Sequence, residues 1–193
     1  MKTAFFATLA LAFTGATAFA QPLPPDAASA ALQQARSFIA SSRCPAATAR
    51  PDAPPSVMRD STVREASYHR ILIEGCGQRM LRNYLATILL DGTRRINELL
   101  PGSTVTDPVL QRDAMQAATA SASATARNCQ QITARDSRFD GQDSEATAPR
   151  RTRPWAEIWL MDACGTMLTV PMRFTPTDRG TTFTASAATR RAN

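Results

Sequence analysis

Two carboxylates, Glu74 and Asp162, stand two residues before the two Cys-Gly pairs of this chain, Cys76-Gly77 and Cys164-Gly165. Brought together in a cleft, such carboxylates could act as the acid and base of a glycoside hydrolase, a chemistry that holds its carboxyls about 5 to 9.5 Å apart. Kept apart and beside arginines, each would be an ordinary surface ion-pair partner. His69 is the single histidine, and its side chain is the one suited to general base chemistry near neutral pH. No Gly-x-Ser-x-Gly turn accompanies it, so nucleophilic hydrolysis lacks its usual signature.

A second set of residues suggests binding. Trp155 and Trp159 share one strand face and, with Tyr68, Arg153 and the neighbouring Glu157, would form an amphipathic patch of the kind enriched at protein or glycan contacts. Strand alternation alone leaves open whether that face is exposed or is itself the core. The expected function is therefore an envelope-associated binding or accessory protein, inhibitor- or immunity-like, without a catalytic site. The alternative is an envelope glycan hydrolase using Glu74 and Asp162. An envelope protein or glycan is the expected partner.

The four cysteines, Cys44, Cys76, Cys129 and Cys164, include no Cys-x-x-Cys pair. They read as two structural disulfides and not as a metal site. Pairing Cys44 with Cys76 and Cys129 with Cys164 joins each helix end to the next hairpin at nearly equal separation, with Cys44–Cys164 and Cys76–Cys129 as the competing arrangement. No phosphate loop, dinucleotide fingerprint or calcium loop is present, so no cofactor is expected.

Residues 1–20 read as a secretory signal peptide. Lys2 precedes an apolar run, and Ala18-Phe19-Ala20 has the small-x-small pattern of a cleavage site. The expected location is the periplasm or the exterior, with residues 21–193 as one disulfide-stabilised domain lacking a transmembrane segment. The formal charge of +6 on 193 residues comes almost wholly from scattered arginines, Lys2 being the only lysine. Nucleic acid is not an expected partner, because its footprint concentrates basic residues on one face.

The elements that must position these residues follow from pattern. Asp26 caps a helix to about residue 42, and Asp107 with Pro108 opens a second, alanine-rich one to about Cys129. Residues 68–76 with 80–90, and 155–161 with 168–174, alternate as hairpins. One shift of 88 residues carries the first Cys-Gly pair onto the second, Leu72 onto Leu160 and Gly92 onto Gly180. The expected fold is α+β: an internal repeat of two helix–strand–strand units, residues 26–100 and 107–184, forming an antiparallel sheet with both helices on one face. Residues 134–154 are expected to be a long loop, 95–100 a short helix, and 185–193 a disordered tail.

Overall fold

Each Cys-Gly pair forms the whole loop of a tight hairpin. Gly75 pairs with Gln78 and Ala163 with Thr166, leaving two residues between the strands. Cys76 and Gly77 have φ of 49° and 71°, and Cys164 and Gly165 have 52° and 83°. Two successive positive φ values define the type I′ turn, whose twist matches that of the flanking strands. A side chain in this region costs roughly 1–2 kcal/mol. Each cysteine is held in it by a disulfide, Cys76 to Cys44 and Cys164 to Cys129.

The computed structural model describes residues 26–58, 61–140 and 153–191. The expected signal peptide lies outside these residues. Helix α1 (Ala27–Ala40) precedes strands β1 (Thr48–Pro51), β2 (Ser56–Met58), β3 (Glu65–Gly75), β4 (Gln78–Ile88) and β5 (Arg94–Glu98). Helix α2 (Pro108–Thr125) precedes β6 (Ile132–Phe139), β7 (Trp155–Ala163), β8 (Thr166–Thr177), β9 (Gly180–Ala185) and β10 (Thr189–Arg190).

These elements overturn the expected fold of two helix–strand–strand repeats sharing an antiparallel sheet beneath two helices. The protein is mostly β, with two separate five-stranded antiparallel sheets. Helix α1 packs on β1, β3 and β4, and α2 on β6 to β9, so each helix serves its own sheet. Residues 94–98 are a strand and not a helix, and the expected loop 134–154 contains most of β6. The expected tail is anchored through Arg191, with β10 paired to β8 and Arg191 N donating to the Met167 carbonyl.

Proline explains why outer strands are broken. In the β7–β8 hairpin, Pro171 sits opposite Ile158 and turns its backbone nitrogen away from β7. On that side Ser186 N donates to the Pro171 carbonyl, but proline returns no N–H to the Ser186 carbonyl. The Ser121 hydroxyl of α2 supplies the missing donor at 2.6 Å. The chain leaves the ladder there, so β9 and β10 pair with different stretches of β8. On the other sheet β1 and β2 divide β3 in the same manner, across a segment containing Pro54 and Pro55.

The helix starts follow their caps. Asp26 accepts from Ser29 N at 2.7 Å, and Asp107 from Val109 N and Leu110 N. Ala114, Ala118 and Ala122 form a fully buried stripe on α2. Their small side chains let the helix approach Trp159, Met161, Leu168, Val170, Met172 and Phe174 in the second core. The first core is smaller: Ala31, Ala35 and Ile39 pack on Ile71, Ile73 and Tyr84.

Residues 99–107 cross between the sheets and are pinned by buried polar side chains. Asn83 Nδ2 donates to the carbonyls of Leu100 and Gly102 at 2.6 and 2.9 Å, and Ser137 Oγ to that of Pro101 at 2.5 Å. Gln111 accepts from Leu100 N and donates to the Thr106 carbonyl. Gly102 has φ of 96° and lies against the Ser137 backbone, where a Cβ would collide. This crossing fixes where the two sheets meet.

Candidate functional site: a cleft between two sheet edges

The site begins with the strands at the ends of the two sheets. β5 ends one and β6 the other. The crossing segment, which follows β5, bonds to both sheets: Gly102 N donates to the Leu81 carbonyl of β4 at 2.9 Å, and Ser103 N to the Ser137 carbonyl of β6 at 2.7 Å. Beside it lies a cleft of about 980 Å³. Its apolar wall includes Phe38, Leu85, Leu99, Pro101, Val109 and Met115, and its polar wall Arg82, Glu98, Arg112, Arg135 and Asp162. A predominantly apolar wall with a few placed polar groups is the usual make-up of a ligand site.

The charges in the cleft are ordered by partners. The Arg82 guanidinium lies 4.0 Å from the centre of the Phe38 ring and pairs with Glu98. Among the described residues, Arg82 Nε is buried without an acceptor. Arg135 Nη2 lies 2.6 Å from Asp162 Oδ2, while Gly165 N donates to Asp162 Oδ1 at 2.7 Å. The Arg135 hydrogen bond, then that of the Gly165 amide, hold the Asp162 carboxyl below the usual carboxylate range.

Glu74 has a different environment. It pairs with Arg50 at 3.2 Å and Arg79 at 3.5 Å, within its own sheet. Asp162 lines the cleft and Glu74 does not. The two carboxylates of the alternative glycan-hydrolase reading thus have separate arginine partners. The lowered Asp162 pKa is also the wrong direction for a general acid, which must hold its proton near neutrality.

His69 is buried on the face of β3 that carries Ile71 and Ile73, and its Nε2 lies 2.9 Å from Ser67 Oγ. Burial lowers its pKa, outweighing the opposing pull of Asp26 and Glu65, and favours the neutral imidazole. A serine beside a histidine invites comparison with a nucleophile and base, but neither lines the cleft. The Ser-x-His spacing that puts both on one strand face was visible in the sequence.

The expected aromatic surface belongs largely to the second core. Trp159 is fully buried, 0% exposed, so it cannot serve as an open contact residue. Trp155 is half-buried and stacks on Phe174, with ring centres 5.0 Å apart, while Arg153 is exposed. Tyr68 is half-buried, and its hydroxyl is pushed up to about 12 chiefly by burial, with Glu157 adding to the rise and Arg70 opposing it. Alternation had identified this face, and the packing of α2 determines that it is core.

Glu157 gains a role that its position in the aromatic strand did not indicate. It is fully buried. Its oxygens accept from the hydroxyls of Thr104 and Thr106, the Val105 amide and Trp159 Nε1, at 2.8 to 3.0 Å. The carboxylate is thereby a structural anchor for the crossing segment. Three of its four donors come from residues 104–106, 51 to 53 positions away, which pattern reading cannot assemble.

Among the described residues, no group of three or more His, Cys, Asp or Glu is placed to hold a metal ion, and no helix is long and apolar enough to cross a membrane. The two disulfides fit an oxidising compartment. Comparison with protein-family models, curated proteins and solved structures finds no match for this chain.

Proposed function

We propose that this is an exported, non-enzymatic binding protein that engages its partner through the cleft between β5 and β6. The carrying observation is an apolar-walled cleft of about 980 Å³ bordered by the terminal strands of both sheets. Support comes also from the chemistry of its polar groups. The glycan-hydrolase alternative receives no comparable support, since Glu74 and Asp162 are engaged with separate arginines. The earlier aromatic patch gives way to the cleft because Trp159 is enclosed.

A photo-crosslinking residue tests this reading when placed at Val109, which lines the cleft and is 57% exposed, or at Val57, which is 78% exposed but does not line it. In intact cells, the probe at 109 should capture a discrete partner and that at 57 should not. Equal capture from both positions, or none from 109, would overturn the proposal.

A further inference from the structure

We propose that the cleft's occupant is an extended, acidic stretch of polypeptide that adds a strand to the free edge of β5. This inference rests on the reading of the cleft as a binding site. The hydrogen bonds of the existing ladder identify that edge: Leu99 N donates to the Asn83 carbonyl at 2.9 Å and Leu89 N to that of Thr93 at 2.8 Å. In an antiparallel ladder alternate residues exchange bonds with one neighbour. Arg95 and Asn97 therefore turn their amides and carbonyls towards β4, and Arg94, Ile96 and Glu98 turn theirs outward. β5 is terminal in its sheet, so among the described residues this row faces no strand.

An uncovered row of backbone donors and acceptors is a template for strand addition. The outer edges of β3 and β8 are already paired, with β1 and β2 and with β9 and β10 respectively. The β5 row instead adjoins the cleft through Glu98. Its one-residue alternation would direct an added strand's side chains to both sides of the sheet.

Charge selects the occupant. Arg94 and Arg95 are exposed on β5, and Arg64 is exposed beside the same end, where its N–H donates to Ile88, the partner of Arg94. Glu98 lies on the row itself and Asp26, Asp91 and Glu65 border it, but Glu98 is paired with Arg82 and the Asp91 carboxylate already accepts from Thr93 N. Within the cleft the buried Arg82 Nε has no acceptor among the described residues. An acidic strand would complement the exposed Arg94 and Arg95.

The test is to pan a phage-displayed random dodecapeptide library against the oxidised protein, then measure binding of a synthetic copy of the recovered sequence. An acidic sequence should emerge, and alternate N-methylation of its backbone should weaken binding about tenfold or more, as should Arg95→Glu. Ile96→Pro, with its fold verified by circular dichroism, should reproduce the N-methylation loss because it removes an outward amide. If Val109→Arg abolishes binding but both backbone changes leave it intact, strand addition is refuted and the cleft reading stands. Binding indifferent to Val109→Arg, Arg95→Glu and N-methylation refutes both, and recovery of no binding sequence overturns the proposed acidic peptide occupant.

Discussion

The two sheet units solve the same problem with different interiors. Both tie a type I′ Cys-Gly turn to the chain following a helix. The second then packs Trp159, Phe174, Met161 and Met172 against the Ala114–Ala118–Ala122 stripe and buries Glu157 among four donors. The first has the smaller set of Ile71, Ile73 and Tyr84, plus the buried Ser67–His69 pair. This difference assigns more of the apolar stabilisation to the second unit. The first retains a polar buried pair and the open edge on β5.

The largest expected disruption comes from Glu157→Ala. It strands the Thr104 and Thr106 hydroxyls, the Val105 amide and the Trp159 indole N–H, with an expected loss of about 4 kcal/mol in urea unfolding. Ser67→Ala interrupts a single side-chain contact in the first unit and should cost about 1 kcal/mol. Equal losses for the two variants would contradict the contrast between their buried networks.

Disulfide removal should produce the next effect. Cys44→Ser/Cys76→Ser and Cys129→Ser/Cys164→Ser each release a loop, with sequence separations of 32 and 35 respectively. Each pair should cost about 3 to 4 kcal/mol by chain entropy. Because the first core is smaller, its disulfide variant should show accelerated amide exchange across β3–β5 while β6–β9 remain protected. Preferential loosening of β6–β9 in that variant would reverse the expected order of local stability.

A smaller, pH-dependent difference should come from His69. Its folded pKa is below its unfolded value of about 6.5. As pH falls towards the folded pKa, the unfolded state gains protons first, so the stability contribution present above about 6.5 is progressively lost. The urea midpoint of the protein should fall more between pH 7.5 and 5 than that of His69→Gln. The same pH response in both proteins would remove His69 as its source.

These differences also show which features local sequence can specify. Helix caps were legible because Asp26 and Asp107 act within the next three residues, and hairpins because apolar alternation frames the Cys-Gly pairs. The short outer strands were less legible. Pro171 breaks one ladder and makes the Ser121 hydroxyl from α2 part of its completion, while β6 carries charged residues in a stretch that resembled a loop. Likewise, Trp159 could be placed on a strand face, but only tertiary packing could place that face under α2. The cleft joins β5 to β6 through residues 99–107, and its long-range geometry was therefore hidden from strand patterning.

Residue-resolved amide hydrogen exchange tests the open β5 edge directly, before and after addition of the recovered acidic peptide. In the free protein, Ile96 and Glu98 should exchange faster than Arg95 and Asn97, whose amides point into the β4 ladder; peptide binding should selectively protect Ile96 and Glu98. Protection of Ile96 and Glu98 before binding, or peptide-induced protection confined to β1 or β9, would contradict the proposed edge and its role.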